Sequence, residues 1–219
     1  ESQSQRVSEF MNYQITNVME EYDPEMDRLL FYLPLAGSAF KKTYFDDILD
    51  RAVSRFIPAD DLIVPYNATD LQSASRITHV TRMDTNSVRK FQAGGFYRDV
   101  ELEPYEGDNE LREKERNLMG IQKTTDSDDC TLLEMHVDLD LKGFEHKSPL
   151  DNEVTGIKLP YIVTIDEGSG TVLSIRRNWA ENDEYYRKLQ YFTHYKFLPG
   201  LGFYGFGLLH MIGGLGRSA

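Results

Sequence analysis

Alternating apolar and polar residues mark the predicted strands of this chain. The strongest alternation runs over residues 131–141, where one side of the strand collects Leu133, Met135, Val137, Leu139 and Leu141. Shorter runs predict further strands at residues 39–45, 51–57, 62–64, 76–83, 161–165 and 171–175. A last strand places on one face Tyr191, Thr193, Tyr195 and Phe197. Turn-forming residues between neighbouring runs favour antiparallel hairpins, with connections at residues 46–50 and 166–170.

Helical patterns occur mainly before the strands. Over residues 5–22 one stripe collects Val7, Phe10, Met11, Ile15, Val18 and Met19, and Asp23-Pro24 ends this helix. A second helix runs from Pro24 to Leu33 and closes at Gly37. Asp84 predicts the N-cap of a helix over residues 85–93, and residues 110–119 predict an exposed, charged helix before an acidic loop at 126–129. The sum predicts an α+β fold, with N-terminal helices, a mostly antiparallel sheet and the start of another helix.

The C-terminal stretch is uncharged from Phe197 to Gly216 if His210 is neutral, although 27% of the chain is charged. Its length approaches the ~20 apolar residues that span a bilayer, so a membrane-active role for residues 197–216 stays open. Seven of the twenty residues are glycine, however, and glycine disfavours a helix interior by about 1 kcal/mol relative to alanine. We therefore expect a tight turn over residues 199–207, followed by a helix from Leu208 that allows close packing.

Composition narrows the classes of function. The chain has 219 residues and a net charge of -12, which argues against a nucleic-acid clamp. Its single cysteine, Cys130, gives no disulfide framework and lies in an acidic setting that disfavours a reactive thiolate. The first residue is not Met, and the last helix stops at Ala219 soon after it begins. Both features predict a piece of a longer protein.

Several patterns suggest chemistry, and each has a structural alternative. Alternation on the strand at 131–141 gathers the potential metal ligands Glu134, His136, Asp138 and Asp140. A half-buried sheet with one solvent-exposed face explains the same pattern. We expect His79 and His194, which lie in predicted strands, to be structural, hydrogen-bonded residues. Asp166-Glu167 near Arg176-Arg177 is compatible with a metal-dependent nuclease or hydrolase, or with an acidic hairpin turn. The glycine pairs near residues 200–207 are not followed by the downstream acidic partner of a strand–turn–helix nucleotide unit, so the sequence gives only weak support for nucleotide binding.

The terminal segment resembles the portal (head–tail connector) proteins of tailed bacteriophages, especially those of short-tailed phages. The likeness is carried by segments in family order over most of the chain, none of which is a catalytic motif: 33–42, 58–68, 76–80, 95–100 and 191–207. It implies that residues 1–200 form a portal wing domain and that residues 201–219 begin a truncated stem helix. The subunit-packing and stem-entry residues would be Pro199, Gly200, Gly202, Phe203, Tyr204, Gly205 and Gly207.

The resemblance also implies a function. Portal subunits form a ring of twelve around a DNA channel at one capsid vertex, where terminase docks during packaging and tail adaptor proteins dock afterwards. The expected partners are other copies of the chain, terminase, tail adaptors, capsid protein and DNA that passes without sequence specificity. No enzyme activity, cofactor, metal or membrane is implied, and the expected location is the virion, with assembly in the host cytoplasm. An acidic surface suits a DNA conduit, because attraction to phosphates would retard movement.

Overall fold

The structure is a computed structural model that describes residues 2–47, 49–102, 114, 120, 129–148 and 151–218. The α+β prediction is confirmed: helices come first and the paired strands are antiparallel. The chain forms two compact units, one of Glu1–Ala74 with Gln190–Ala219 and the other of Ser75–Leu189. The stretch 201–219 therefore belongs to the same unit as the N-terminal helices, and the division into wing and stem stays a prediction.

The first unit begins with helix α1 (Ser2–Tyr13), a π-helical segment (Gln14–Val18) and helix α2 (Tyr22–Ala36). The continuous helix predicted over residues 5–22 is therefore wrong, because the backbone leaves the helical region at Met19 (φ −89°, ψ 78°) and α2 starts before Pro24. None of the residues of α1 is buried. The predicted end of α2 is confirmed: Gly37 has φ 85° and donates its N–H to the carbonyl of Leu33.

A three-stranded antiparallel sheet completes this unit in the order β2-β1-β8, formed by β1 (Ser38–Asp46), β2 (Arg51–Pro58) and β8 (Phe192–Lys196). The unit also contains a 3-10 turn (Ala59–Asp61) and the short β3 (Leu62–Ile63). Helix α2 packs on β1 and β2. The core residues of this unit include Leu29, Ala39, Phe40, Val53, Ile57, Leu62, Phe192 and Phe203. Helix α4 (Leu208–Ser218) ends the unit and begins where the sequence predicts it.

The second unit contains β4 (Arg76–Asp84), α3 (Thr85–Ala93), β5 (Asp129–Leu139), β6 (Leu159–Asp166) and β7 (Val172–Arg177). Its strands pair in the order β4-β5-β6-β7. The predicted cap of α3 is confirmed, because Asp84 Oδ1 accepts the N–H of Ser87 at 2.9 Å. Most of the helix predicted over 110–119 and most of the acidic loop at 126–129 lie outside the described residues.

The two faces of this sheet have different cores. Val88, Cys130, Leu132 and Leu173 form one cluster, and Leu159, Tyr161 and Val163 form the other. Met135, Val137, Leu139 and Leu141 pack against the second cluster, as the alternation predicted. The side chains on the opposite face of β5 were predicted to be exposed to solvent. That prediction is wrong for His136, which is only 1% exposed. Asp138 and Asp140 are exposed, so only the end of that face is open to solvent.

Candidate interaction surface at the C-terminal turn

The segment between β8 and α4 is a compact turn that folds back on itself. Leu198 and Phe206 form a two-hydrogen-bond bridge, with N–O distances of 3.2 and 2.9 Å. Gly200 tightens this turn, since a Cβ there would lie 2.2 Å from the carbonyl oxygen of Tyr204. Pro199 follows Leu198 and can donate no backbone hydrogen bond. The predicted turn over residues 199–207 is therefore a closed loop with its own hydrogen bonds.

The turn is fastened to the junction between α2 and β1. The N–H of Gly205 donates to Ser38 Oγ at 2.7 Å, and the N–H of Phe197 donates to the Gly37 carbonyl at 3.0 Å. The Tyr204 hydroxyl donates to the carbonyl of Leu62 at 3.0 Å. Burial raises the pKa of Tyr204, with a further contribution from the charge of Asp60, so this phenol stays a donor. These bonds join chain positions more than 140 residues apart.

Glycine is required where two backbones meet. A Cβ on Gly205 would lie 2.5 Å from the Gly37 carbonyl oxygen, and one on Gly207 would lie 2.3 Å from the Leu35 carbonyl oxygen. Gly37 is subject to the same restriction, because its Cβ would lie 2.3 Å from Gly207 N. Such distances are far below an ordinary van der Waals contact, so these glycines are explained by packing within the chain. Gly202 differs, since nothing lies within 4 Å of its Cβ position.

A stack of rings forms the centre of this junction. The ring of His194 lies 4.3 Å from that of Phe40 and 4.8 Å from that of Phe203, centroid to centroid. Burial, with a smaller effect from the charge of Lys196, lowers the pKa of His194 to about 4. The neutral Nε2 can then accept from the Ser38 hydroxyl at 3.1 Å, while Ser38 Oγ accepts from Gly205. His194 is thus a structural, hydrogen-bonded residue, as predicted from the sequence.

Helix α4 begins at this fixed turn. The N–H of Gly207 donates to Nδ1 of His210 at 3.1 Å, which satisfies one of the free donors of the first helical turn. Beyond that point the helix is largely exposed. Its large apolar side chains are between 37% and 70% exposed, namely Leu208, Leu209, Met211, Ile212 and Leu215. Gly213, Gly214 and Gly216 have nothing within 4 Å of their Cβ positions, so a second surface can approach the backbone there.

The predicted site residues therefore divide into three groups. Phe203, Tyr204, Gly205 and Gly207 come together with the α2–β1 junction, and Pro199 and Gly200 shape the turn. Gly202 makes no close approach. Sequence reasoning missed Ser38, whose hydroxyl links Gly205 and His194. A serine directly after the helix-ending Gly37 is the signal that marks it.

The patterns proposed for chemistry have structural explanations where they are described. His136 Nε2 lies 2.9 Å from Glu134 Oε1, and the Ser169 N–H and hydroxyl both donate to Asp166 Oδ2 within the β6–β7 turn. Across the described ranges, no group of three or more His, Cys, Asp or Glu side chains is placed to hold a metal ion. Among the helices of those same ranges, none has the length and apolar character that a membrane crossing requires.

No protein-family model matches this chain, and no curated protein sequence is significantly similar to it.

Proposed function

We propose that this chain is the wing and the stem-helix start of a phage portal subunit, which assembles through α4 into a ring around a DNA channel. The observation that carries the proposal is the apolar face of α4. A helix that leaves a rigid turn with five large apolar side chains exposed needs a partner to cover them. Together they expose roughly 500 Å², at the upper end of the patches found on monomers.

The charge distribution supports a channel-forming subunit. Helix α4 carries no acidic residue, whereas the chain as a whole has a net charge of -12. Residues 208–216 of this helix contain no Asp, Glu, Lys or Arg, so that part can pack against its neighbours without burying unpaired charge. The acidic remainder limits adhesion of a polyanion such as DNA. Head-to-tail contacts between identical subunits generate a closed ring when the rotation between neighbours closes.

The turn supports a mechanical role for the junction. Close backbone packing at Gly205 and Gly207 and the buried hydrogen bond from Gly205 to Ser38 hold the first turn of α4 in a defined direction. A ring subunit requires that direction, because each stem helix must meet its neighbours at the same angle. Terminase, tail adaptor proteins and capsid protein are the proposed partners of the assembled ring.

The test is the mass and shape of the complete natural gene product, measured by mass photometry and negative-stain electron microscopy. The proposal expects ring particles with a central hole. In the same background, Ile212→Glu should reduce ring formation, because it places a charge in the proposed interface. Ser218→Glu, also on α4, is the matched control and should assemble normally. A complete product that stays monomeric at high micromolar concentration contradicts the proposal.

A further inference from the structure

Strand β7 lies at one end of the strand order in the second unit, and a surface groove runs along its outer edge. The groove has a volume of about 550 Å³ and is lined by residues 95–98 and 173–176. One backbone hydrogen bond links the two walls, from the N–H of Arg98 to the carbonyl of Leu173 at 2.7 Å. Beyond this bond, no described strand pairs with the outer edge of β7.

The direction of the backbone groups of β7 follows from its pairing with β6. The N–H of Asn178 donates to the Pro160 carbonyl at 3.0 Å, so Asn178 directs its N–H towards β6. Residues two apart on a strand share this direction. Arg176 and Ser174, which are opposite Ile162 and Thr164, therefore also face β6. Ile175 and Arg177 direct their N–H and C=O groups outward, and within the described residues these groups have no hydrogen-bond partner.

The side chains around this edge are basic and aromatic. The Arg176 guanidinium lies 5.3 Å from the ring centre of Phe96, and that of Arg177 lies 5.8 Å from the ring centre of Trp179. In the described part of the chain neither arginine forms an ion pair with a carboxylate, and neither does Arg98. Two of these arginines, Arg98 and Arg176, line the groove, and their positive charge contrasts with the net charge of -12 for the whole chain. Ile175, which is 49% exposed and also lines the groove, adds an apolar contact.

We infer that this β7 groove binds an extended acidic segment of another protein, which adds to the sheet as a further strand. The outward N–H and C=O groups at Ile175 and Arg177 match the alternating donors and acceptors of a peptide backbone. The arginines attract acidic side chains of the added strand. Nucleic acid fits less well, because phosphates can accept from the N–H groups but would be repelled by the outward carbonyls. The inference is independent of the proposed ring function.

The test uses the 219-residue chain and a synthetic library of labelled nine-residue peptides in which acidic residues alternate with Val, Ile or Thr. Fluorescence anisotropy selects the best binder. Arg176→Glu should weaken that binder at least tenfold, whereas Arg55→Glu, an exposed arginine on β2 in the other unit, should leave it within twofold. Ile175→Pro, which removes an outward N–H, should also weaken binding tenfold. Circular dichroism confirms that each variant is folded.

A second arm separates strand addition from simple charge attraction and needs no protein variant. The selected peptide is N-methylated at alternate residues, once on each of its two edges, which keeps every charge. Methylation of one edge should abolish binding, and methylation of the other should be tolerated. Absence of binding by every library member overturns the inference, as does equal binding of both methylated peptides. Tighter, Arg176-dependent binding of a 20-mer DNA duplex would assign the groove to nucleic acid and also overturn it.

Discussion

The substitution Gly207→Ala tests the claim that the turn and the α2–β1 junction are joined by backbone contact. The added Cβ would lie 2.3 Å from the Leu35 carbonyl oxygen and 2.5 Å from Gly37 N. An ordinary contact begins near 3.4 Å, so each gap must widen by about 1 Å. Both obstructing atoms belong to the backbone at the end of α2, and neither can rotate away as a side chain could.

The expected loss of stability combines two effects. Overpacking that moves backbone costs about 1–3 kcal/mol. Separation of the two segments also weakens the hydrogen bond from Gly205 to Ser38, and a buried donor left without a partner adds about 1–3 kcal/mol. Since some of the strain relaxes, we expect a total loss of about 3 kcal/mol in the free energy of unfolding. For a chain of this size that lowers the melting temperature by roughly 6–12 °C.

The measurement is thermal unfolding by calorimetry together with urea unfolding by circular dichroism. Gly213→Ala is the matched control, because nothing lies within 4 Å of that Cβ position and alanine favours a helix by about 1 kcal/mol. The control should be as stable as the unmodified chain or more so. A change of less than about 0.5 kcal/mol in the free energy of unfolding on Gly207→Ala would be within the range of ordinary surface substitutions. Such a result, or equal behaviour of the two variants, would refute the claim of close backbone packing.

Two further predictions concern the same junction. Ser38→Ala should lower the free energy of unfolding by about 1–3 kcal/mol, because the buried Gly205 N–H loses its acceptor. In the same urea titration, the control Ser218→Ala at the exposed end of α4 should change the free energy of unfolding little. His194 has a folded-state pKa of about 4, against an ordinary value of 6.5. As the pH falls, the imidazole is therefore protonated in the unfolded chain before it is protonated in the folded chain. The contribution of His194 to stability is lost as the pH falls from 6.5 towards 4. Urea titrations across that range should show a smaller decline for His194→Gln than for the unmodified chain, and equal declines would contradict the assigned environment.

The strand pattern could be predicted because a strand side chain repeats every two residues whatever its partner is. The β1–β2 and β6–β7 hairpins follow from short connections with turn-forming residues, where sequence neighbours are also neighbours in space. The cap at Asp84 and the end of α2 at Gly37 are equally local, since each depends on a few adjacent backbone groups.

Sequence-based predictions were wrong where one local pattern is compatible with two different structures. The apolar stripe over residues 5–22 fits one long helix, but α1 ends at Tyr13, a π-helical segment follows and none of the α1 residues is buried. His136 shares its strand face with the acidic residues Glu134, Asp138 and Asp140, yet it is buried beside Glu134. Alternation identifies the two faces of a strand, but it does not say which face is covered.

The sequence by itself determined the α+β class, the strand and turn periods, and an uncharged turn that leads into a helix at Leu208. Tertiary structure alone decided why the turn contains its glycines. Gly205 and Gly207 meet the end of α2 at distances that exclude a Cβ, while Gly202 and Gly213 meet nothing. The physical reason is that a glycine in the sequence indicates only that the backbone is locally free to adopt many conformations. Whether a Cβ would clash depends on a second segment, which here lies about 170 residues away along the chain, as the hydrogen bond from Gly205 to Ser38 illustrates.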